Sequence, residues 1–407
     1  MAKARPRPPF PRGVKSAMVA GQPQPRLPLP HTILQIIPKL ETGGAERTTV
    51  DLTAALTAAG WRALVVSEGG RMVPEVEAAG GQHIRLPAAS KSPVTILANA
   101  WRLRRLIARE KVSLVHARSR APAWSALLAA RLAGVPFVTT YHGIYHAGNA
   151  AKRWYNSVMV RGDAVIANSQ WTAERIRADY GRVPPLTVIP RGVDFEVFDP
   201  AAVAPERIAR LREQWRASNG DVVVLLPGRL TRWKGQGVLI EALAQLKRAG
   251  KLPPLIAVLA GDPQGRDSYA AELRQAATEA GLKEIVVLPG HVSDMAAAYL
   301  AADIVISAST KPEPFGRVPV EAGAMGRPVI ATDHGGARET VIAEVSGLLI
   351  PPSDSAALAG ALERLIALGP EGRAAMGAKA RARVRECFTR ERMCADTIAL
   401  YRELLGG

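Results

Sequence analysis

Cysteine is almost absent from this chain: Cys387 and Cys394 are the only two in 407 residues. On one helix a spacing of seven is two turns, about 10 Å, too far for a disulfide. Reduced thiols and a cytosolic location are therefore expected. Long apolar runs are also missing, since no stretch approaches the roughly 20 residues that span a bilayer. Aromatic residues make up only 5%, too few for an evident base-stacking platform, and the basic residues are spread out; no nucleic-acid partner is expected. There is no GxGxxG, which excludes a dinucleotide fingerprint and an epimerase built on one.

Cations, by contrast, are abundant. Lys and Arg total 53 against 36 Asp and Glu, a net charge of +17, which suggests an anionic membrane surface or phosphorylated substrates. Hydrophobic residues reach 48%, so most of the chain should be globular. Residues 1–30 differ, with eight prolines, six basic residues and no Asp or Glu. They read as a solvated, disordered tail without the apolar core of a signal peptide.

Beyond the tail, short apolar runs alternate with helical patterns of 10–18 residues. Thr32–Pro38, Ala63–Ser67, Ser113–Ala117, Pro136–Thr140, Asp163–Asn168 and Leu186–Pro190 are of strand length. The pattern breaks around Gly192–Pro205 and restarts with Val222–Pro227, Pro254–Ala260, Ile285–Leu288, Ile304–Ser307 and Pro328–Thr332. Such alternation predicts an α/β chain of two Rossmann-like, doubly wound domains, over 31–195 and 206–388, facing a central cleft. Residues 389–407 are read as a final helix packing back toward the first domain.

Four stretches carry the chemistry. Gly43 and Gly44 follow the first strand, where backbone amides can approach an anion at a helix N-terminus; a purely structural turn is equally compatible. His142, in Thr139-Thr140-Tyr141-His142-Gly143, lies at a strand end and so at the cleft. Arg229 and Lys234, in Pro227–Gly235, project from one loop and suit a diphosphate, although a solvated basic loop has the same appearance. The most informative segment runs from Glu313 to Ile330. Glu313 precedes a Pro-Phe-Gly turn, and Glu321 falls one turn into the next helix, whose first turn accepts Pro319. Free amides around Gly316–Val318 would form an anion site. Carboxylates beside it suit vicinal hydroxyls.

The segment E-P-F-G-x-V-P-V-E-A-x-A-x-G-x-P-V-I resembles the E-x7-E signature of glycosyltransferase family 4, retaining enzymes of the GT-B fold. The resemblance extends over roughly residues 32–405 and includes G-G-A-E-R, the strand-end H-G, A-N-S at Ala167–Ser169 and G-R-L-x-x-x-K-G. It implies that Arg229 and Lys234 hold the diphosphate of a nucleotide diphosphate sugar, and that Glu321 holds the ribose. Glu313, Phe315 and Gly316 would contact the transferred sugar, with Arg317 and Val318 beside them. His142 would approach its outer edge, and Gly43-Gly44 would face the phosphate. It further implies no cofactor and no obligatory metal, and no Asp-x-Asp pair stands out between the motifs. One departure is Arg191, where relatives commonly carry Asn; it bears on the hydrogen bonding of the hinge region.

Tyr141-His142-Gly143 and Arg153–Ser157 most resemble lipopolysaccharide-core and related envelope transferases. Tyr141, Lys152, Arg153, Trp154 and Tyr155 are accordingly expected on an acceptor or membrane side, with a peripheral location at the inner face of the cytoplasmic membrane. The amphipathic stretch Trp101–Arg109 is read as a sheet-packing helix with a solvated basic face, in preference to a membrane-surface helix. A soluble acceptor is the alternative within the same fold. A phosphorylase of this architecture would need a pyridoxal-lysine context that is missing.

Overall fold

A computed structural model describes residues 31–406 apart from Thr42, Ile144, His146, Ala147, Gln264 and Arg266. The Pro/Arg-rich stretch 1–30 lies outside the described residues.

Two parallel sheets organise the chain. The first contains β1 (Thr32–Ile36), β2 (Arg62–Ser67), β3 (Gln82–Arg85), β4 (Leu114–Ala117), β5 (Phe137–Tyr141), β6 (Ala164–Ala167) and β7 (Leu186–Val188). Their spatial order is β3-β2-β1-β4-β5-β6-β7. The second contains β8 (Val222–Pro227), β9 (Leu255–Ala260), β10 (Val286–Gly290), β11 (Ile304–Ser307), β12 (Val329–Thr332) and β13 (Gly347–Ile350), in the order β10-β9-β8-β11-β12-β13. All strand pairs are parallel, for example Leu34 opposite Leu64 and Val305 opposite Val329. Central strands such as Leu114–Ala117 and Ile304–Ser307 are buried at every position. That is why they are continuous apolar runs instead of alternating ones.

The expected architecture is present, with two strands that the apolar pattern missed. Gln82–Arg85 is an edge strand with no fully buried residue, so it never needed an apolar run. Gly347–Ile350 closes the other edge.

The two cysteines do not share a helix, contrary to the spacing argument. Helix Gly369–Cys387 stops at Phe388, and Cys394 belongs to helix Arg390–Leu405, capped by Thr389. Both thiols are free, and burial pushes that of Cys394 up to about 12. The last helix packs on helix Gly44–Ala58, with Met393, Ile398 and Tyr401 in one apolar cluster with Ile33, Leu52 and Leu56. The Tyr401 hydroxyl meets His116 Nδ1 at 2.5 Å in the interior.

The domains also touch across the cleft. Glu339 accepts the backbone N–H groups of Gln170 and Trp171, both at 2.8 Å, at the start of helix Gln170–Tyr180. There a carboxylate meets the positive end of the helix dipole. Ser169 donates its hydroxyl to the Pro314 carbonyl, which gives the A-N-S motif a physical role.

Candidate functional site

Strand order reverses between β8 and β11, so the loops after these strands border the crevice where open α/β sheets bind ligands. After β8, Gly228 has φ 142 and lies against the Lys234 methylenes. Gly235, at φ 81, has the Ala308 carbonyl where a side chain would begin, 1.9 Å from an ideal Cβ. These close approaches press the loop onto the one after β11, and Lys234 Nζ donates to Glu313 Oε1 at 2.7 Å. The pair is enclosed, with side chains 13% and 17% exposed. Burial opposes the Glu313 charge, but the Lys234 ammonium and hydrogen bonds from Lys234 and Ser309 prevail, holding its carboxyl below the usual range. Arg229 is exposed and has no ion-pair partner among the described residues.

The Glu313–Gly316 turn rests on a second glycine pair. Gly336 N–H donates to the Glu313 carbonyl at 2.9 Å, and a Cβ on Gly336 would fall 2.4 Å from the Phe315 oxygen. Gly316, in the left-handed region at φ 86, then starts helix Arg317–Ala324. One turn later, buried Glu321 accepts from Arg317 Nη2 at 2.5 Å and from the Tyr299 hydroxyl at 2.8 Å.

In the first domain the order reverses between β1 and β4. The helix Gly44–Ala58, following β1, turns Gly44, Arg47, Thr48 and Asp51 toward the cleft. Arg47 is paired with Glu75 at 2.7 Å. Asp51 makes no hydrogen bond or ion pair among the described residues, and burial pushes its carboxyl up to about 6. Arg118, after β4, is buried and donates twice to Gln35 Oε1 and once to Thr48 Oγ1.

His142 follows β5. Its Nδ1 lies 2.9 Å from Arg191 Nη2. A guanidinium only donates, so Nδ1 accepts and the ring proton sits on Nε2. Desolvation first, then the charges of Arg191 and Arg118, hold His142 well below its ordinary range and therefore neutral. Arg191 reaches the other way too: an ideal Cβ on Gly44 would lie 2.1 Å from its Nη1. The space above Gly44 thus belongs to Arg191.

The structure gathers some of the expected residues and separates others. Gly44, Phe315, Arg317 and Glu321 line one cavity of about 310 Å³, together with Asp51 and Arg191. His142 lines a smaller recess that has Thr48 and Arg191 as walls in common with this cavity. Arg229, Lys234, Glu313, Gly43, Gly316 and Val318 do not line the main cavity.

On the expected acceptor side, Lys152, Arg153 and Trp154 are exposed on helix Ala150–Asn156. Tyr141 is a correction: it is 4% exposed and belongs to the apolar core, because it is the last residue of a central strand. Tyr155 is half-buried with its hydroxyl sealed from water, so only its neighbours offer an outer surface.

Sequence reasoning did not assign roles to Asp51, Tyr299, Ser309 or the Gly335-Gly336 turn. The last had a usable signal, a glycine pair directly after a strand like that at Gly43-Gly44. Asp51 had none, because its exposure to the cleft depends on the helix's rotation against the sheet.

Comparison with known proteins agrees with the two-domain architecture. The family description "Glycosyltransferase Family 4" matches residues 42–197, and "Glycosyl transferases group 1" matches residues 207–383. A D-inositol 3-phosphate glycosyltransferase of Xylanimonas cellulosilytica is 33% identical over 274 residues, 63% of this chain and 64% of that protein. The chain thus spans just under two thirds of that relative's length. A GDP-mannose-dependent alpha-(1-6)-phosphatidylinositol monomannoside mannosyltransferase of Mycolicibacterium smegmatis is 31% identical over 319 residues, 74% of this chain and 79% of that one. The crystal structure of Anabaena Alr3699/HepE in complex with UDP and glucose superposes with a TM-score of 0.80 at 28% identity, covering 92% of this chain and all of that chain (100%).

Proposed function

Because the chain belongs to glycosyltransferase family 4, we propose that it moves a hexose, with retention, from a nucleotide diphosphate sugar to a lipid-linked or lipopolysaccharide-type acceptor. The observation that carries this reading is the pair of carboxylate–cation contacts, Lys234–Glu313 and Arg317–Glu321, on the two sides of the Pro-Phe-Gly turn. Each cation can pass to a phosphate while its carboxylate turns to hydroxyls. Glu321 would then accept from the ribose. Glu313, with the amides of Phe315 and Gly316, would accept from or donate to the transferred sugar. His142, as a neutral Nε2–H donor, would meet that sugar from the opposite domain.

Arg229 and Lys234 would neutralise the departing diphosphate, a task that otherwise falls to a divalent ion. Exposed Arg229 can do so without breaking any structural contact. A UDP-sugar donor is supported by the UDP bound to the Anabaena neighbour. Turnover is tested by screening purified protein against sugar nucleotides for release of the nucleoside diphosphate; release that occurs only with added divalent ion would remove the metal-free part.

A lipid acceptor is supported by the name of the mycolicibacterial relative and by the outer surface of the first domain. Trp154, 59% exposed, stacks on Trp124 with Arg161 beside both rings. On helix Pro93–Glu110, Val94, Leu97 and Trp101 are exposed among arginines, and Arg105 covers the Trp101 ring. Such rings and cations suit an anionic interface. No helix among the described residues is long and apolar enough to cross a membrane. A soluble phosphorylated polyol is the second reading, favoured by the name of the Xylanimonas relative. Liposome sedimentation separates the two: binding should rise with anionic lipid and fall with salt and in a Lys152/Arg153/Trp154 triple Ala variant.

A further inference from the structure

The recess behind the cleft is unusual in its inventory. Its polar walls include His116, Arg118, Thr140, His142, Asn168 and Arg191, and no carboxylate lines it. Two of these residues are cations. Arg118 spends its donors on the neutral Gln35 and Thr48, and Arg191 on His142. Neither guanidinium touches a carboxylate among the described residues.

Three N–H donors on these walls are sealed from water and have no partner among the described residues: His142 Nε2, Asn168 Nδ2 and Arg191 Nε. Asn168 is 2% exposed, and its Oδ1 is already engaged by the Thr172 hydroxyl. Idle buried donors and an uncompensated buried cation are each costly, so a group that only accepts hydrogen bonds and carries negative charge would complete this site. Arg191 stands at its mouth, forming part of the wall of the main cavity as well.

Resting on the reading above, in which His142 faces the transferred sugar, we propose that the transferred sugar is a hexuronate, whose carboxylate is read by Arg191 and His142. A neutral hexose brings a hydroxyl to the same place, which satisfies one donor and leaves the guanidinium unpaired. A planar carboxylate matches the guanidinium fork and takes two donors at once.

The test compares matched donors, UDP-glucuronic acid with UDP-glucose, by calorimetry and by UDP release, on the full-length protein. The uronate should bind about tenfold tighter or better, the scale of one charge-assisted hydrogen bond. Arg191→Asn should bring the two donors within about threefold of each other, while UDP alone binds within about threefold of its wild-type affinity. Arg191→Lys should keep part of the preference, and unchanged melting temperatures in both variants exclude misfolding as the cause. The proposal is overturned by a wild-type preference for the neutral sugar, or by an Arg191→Asn variant that loses UDP as strongly as it loses the donor. The second would assign Arg191 to the diphosphate. Selection of an acidic acceptor with indifference to the donor's carboxylate also overturns it, by moving the anion to the other substrate. Failure to bind any sugar nucleotide, across bases, removes the glycosyltransferase reading itself.

Discussion

On the C-terminal side of the cleft the cations flanking the turn each have a carboxylate: enclosed Lys234 meets Glu313, and half-exposed Arg317 meets Glu321. On the N-terminal side Arg118 and Arg191 meet an amide, a hydroxyl and an imidazole, while the carboxylate of Asp51 has no hydrogen-bond partner among the described residues. The first side holds its charge balance internally and can exchange partners when a ligand arrives. The second is left incomplete by the protein alone. A ligand that bridges the two therefore meets interchangeable contacts on one wall and unfilled ones on the other, which is a physical basis for closing one domain onto the other.

The strongest way to break this contrast is Lys234→Ala. It strands the enclosed Glu313 charge, and we expect a loss of about 3–5 kcal/mol in stability, read by denaturant unfolding, together with loss of turnover. Replacing both partners, Lys234→Met with Glu313→Gln, should recover most of the stability and none of the activity. Arg229→Ala sharpens the same comparison from the other side. Arg229 is exposed and has no ion-pair partner among the described residues, so we expect a turnover loss equivalent to about 2–4 kcal/mol in the barrier with an unchanged melting temperature.

Asp51 supplies the third case. Its folded carboxyl titrates at about 6 against an ordinary 3.8, so the folded protein holds the proton more tightly than the unfolded chain. Stability should then fall as pH rises from about 4 to about 6 and level off above, by at most about 3 kcal/mol for a shift near two units. Asp51→Asn should remove that slope, which chemical denaturation at a series of pH values would register. The smallest effect is expected at the contact joining the two sides: Glu339→Gln should cost about 1.5 kcal/mol by weakening the bonds to the Gln170 and Trp171 amides. It should raise KM for the donor more than it lowers kcat.

The contrast also separates what could be read from the chain and what could not. Both glutamates and Gly316 belong to one local pattern of turn and helix start, so their spacing on the chain is their spacing in space, whereas Lys234 reaches Glu313 from 79 residues away and was legible only through its own loop. The strands were legible for a related reason, because burial on both faces demands unbroken apolar runs. Arg191 and His142 lie 49 residues apart, and Asp51 is set by how one helix rolls on a sheet. Contacts of that kind appear only after the sheet order is known. Tyr141 failed differently: an aromatic beside a candidate histidine looked like an outer surface, yet it ends a central strand that is buried on both faces and so belongs to the core.

The last helix has a consequence for synthesis. Met393, Ile398 and Tyr401 cover Ile33, Leu52 and Leu56, so the first domain's apolar surface is closed by residues more than 300 positions later in the chain. At about 5–20 residues per second, a ribosome that has just made Ile189 needs on the order of 10–40 s more to deliver Met393. Through that interval the nascent first domain displays an uncovered greasy face, at a stage when a premature stop or a pause would leave it permanently open. Chains cut before Thr389 should accordingly be chaperone clients that aggregate, however well their second domain folds.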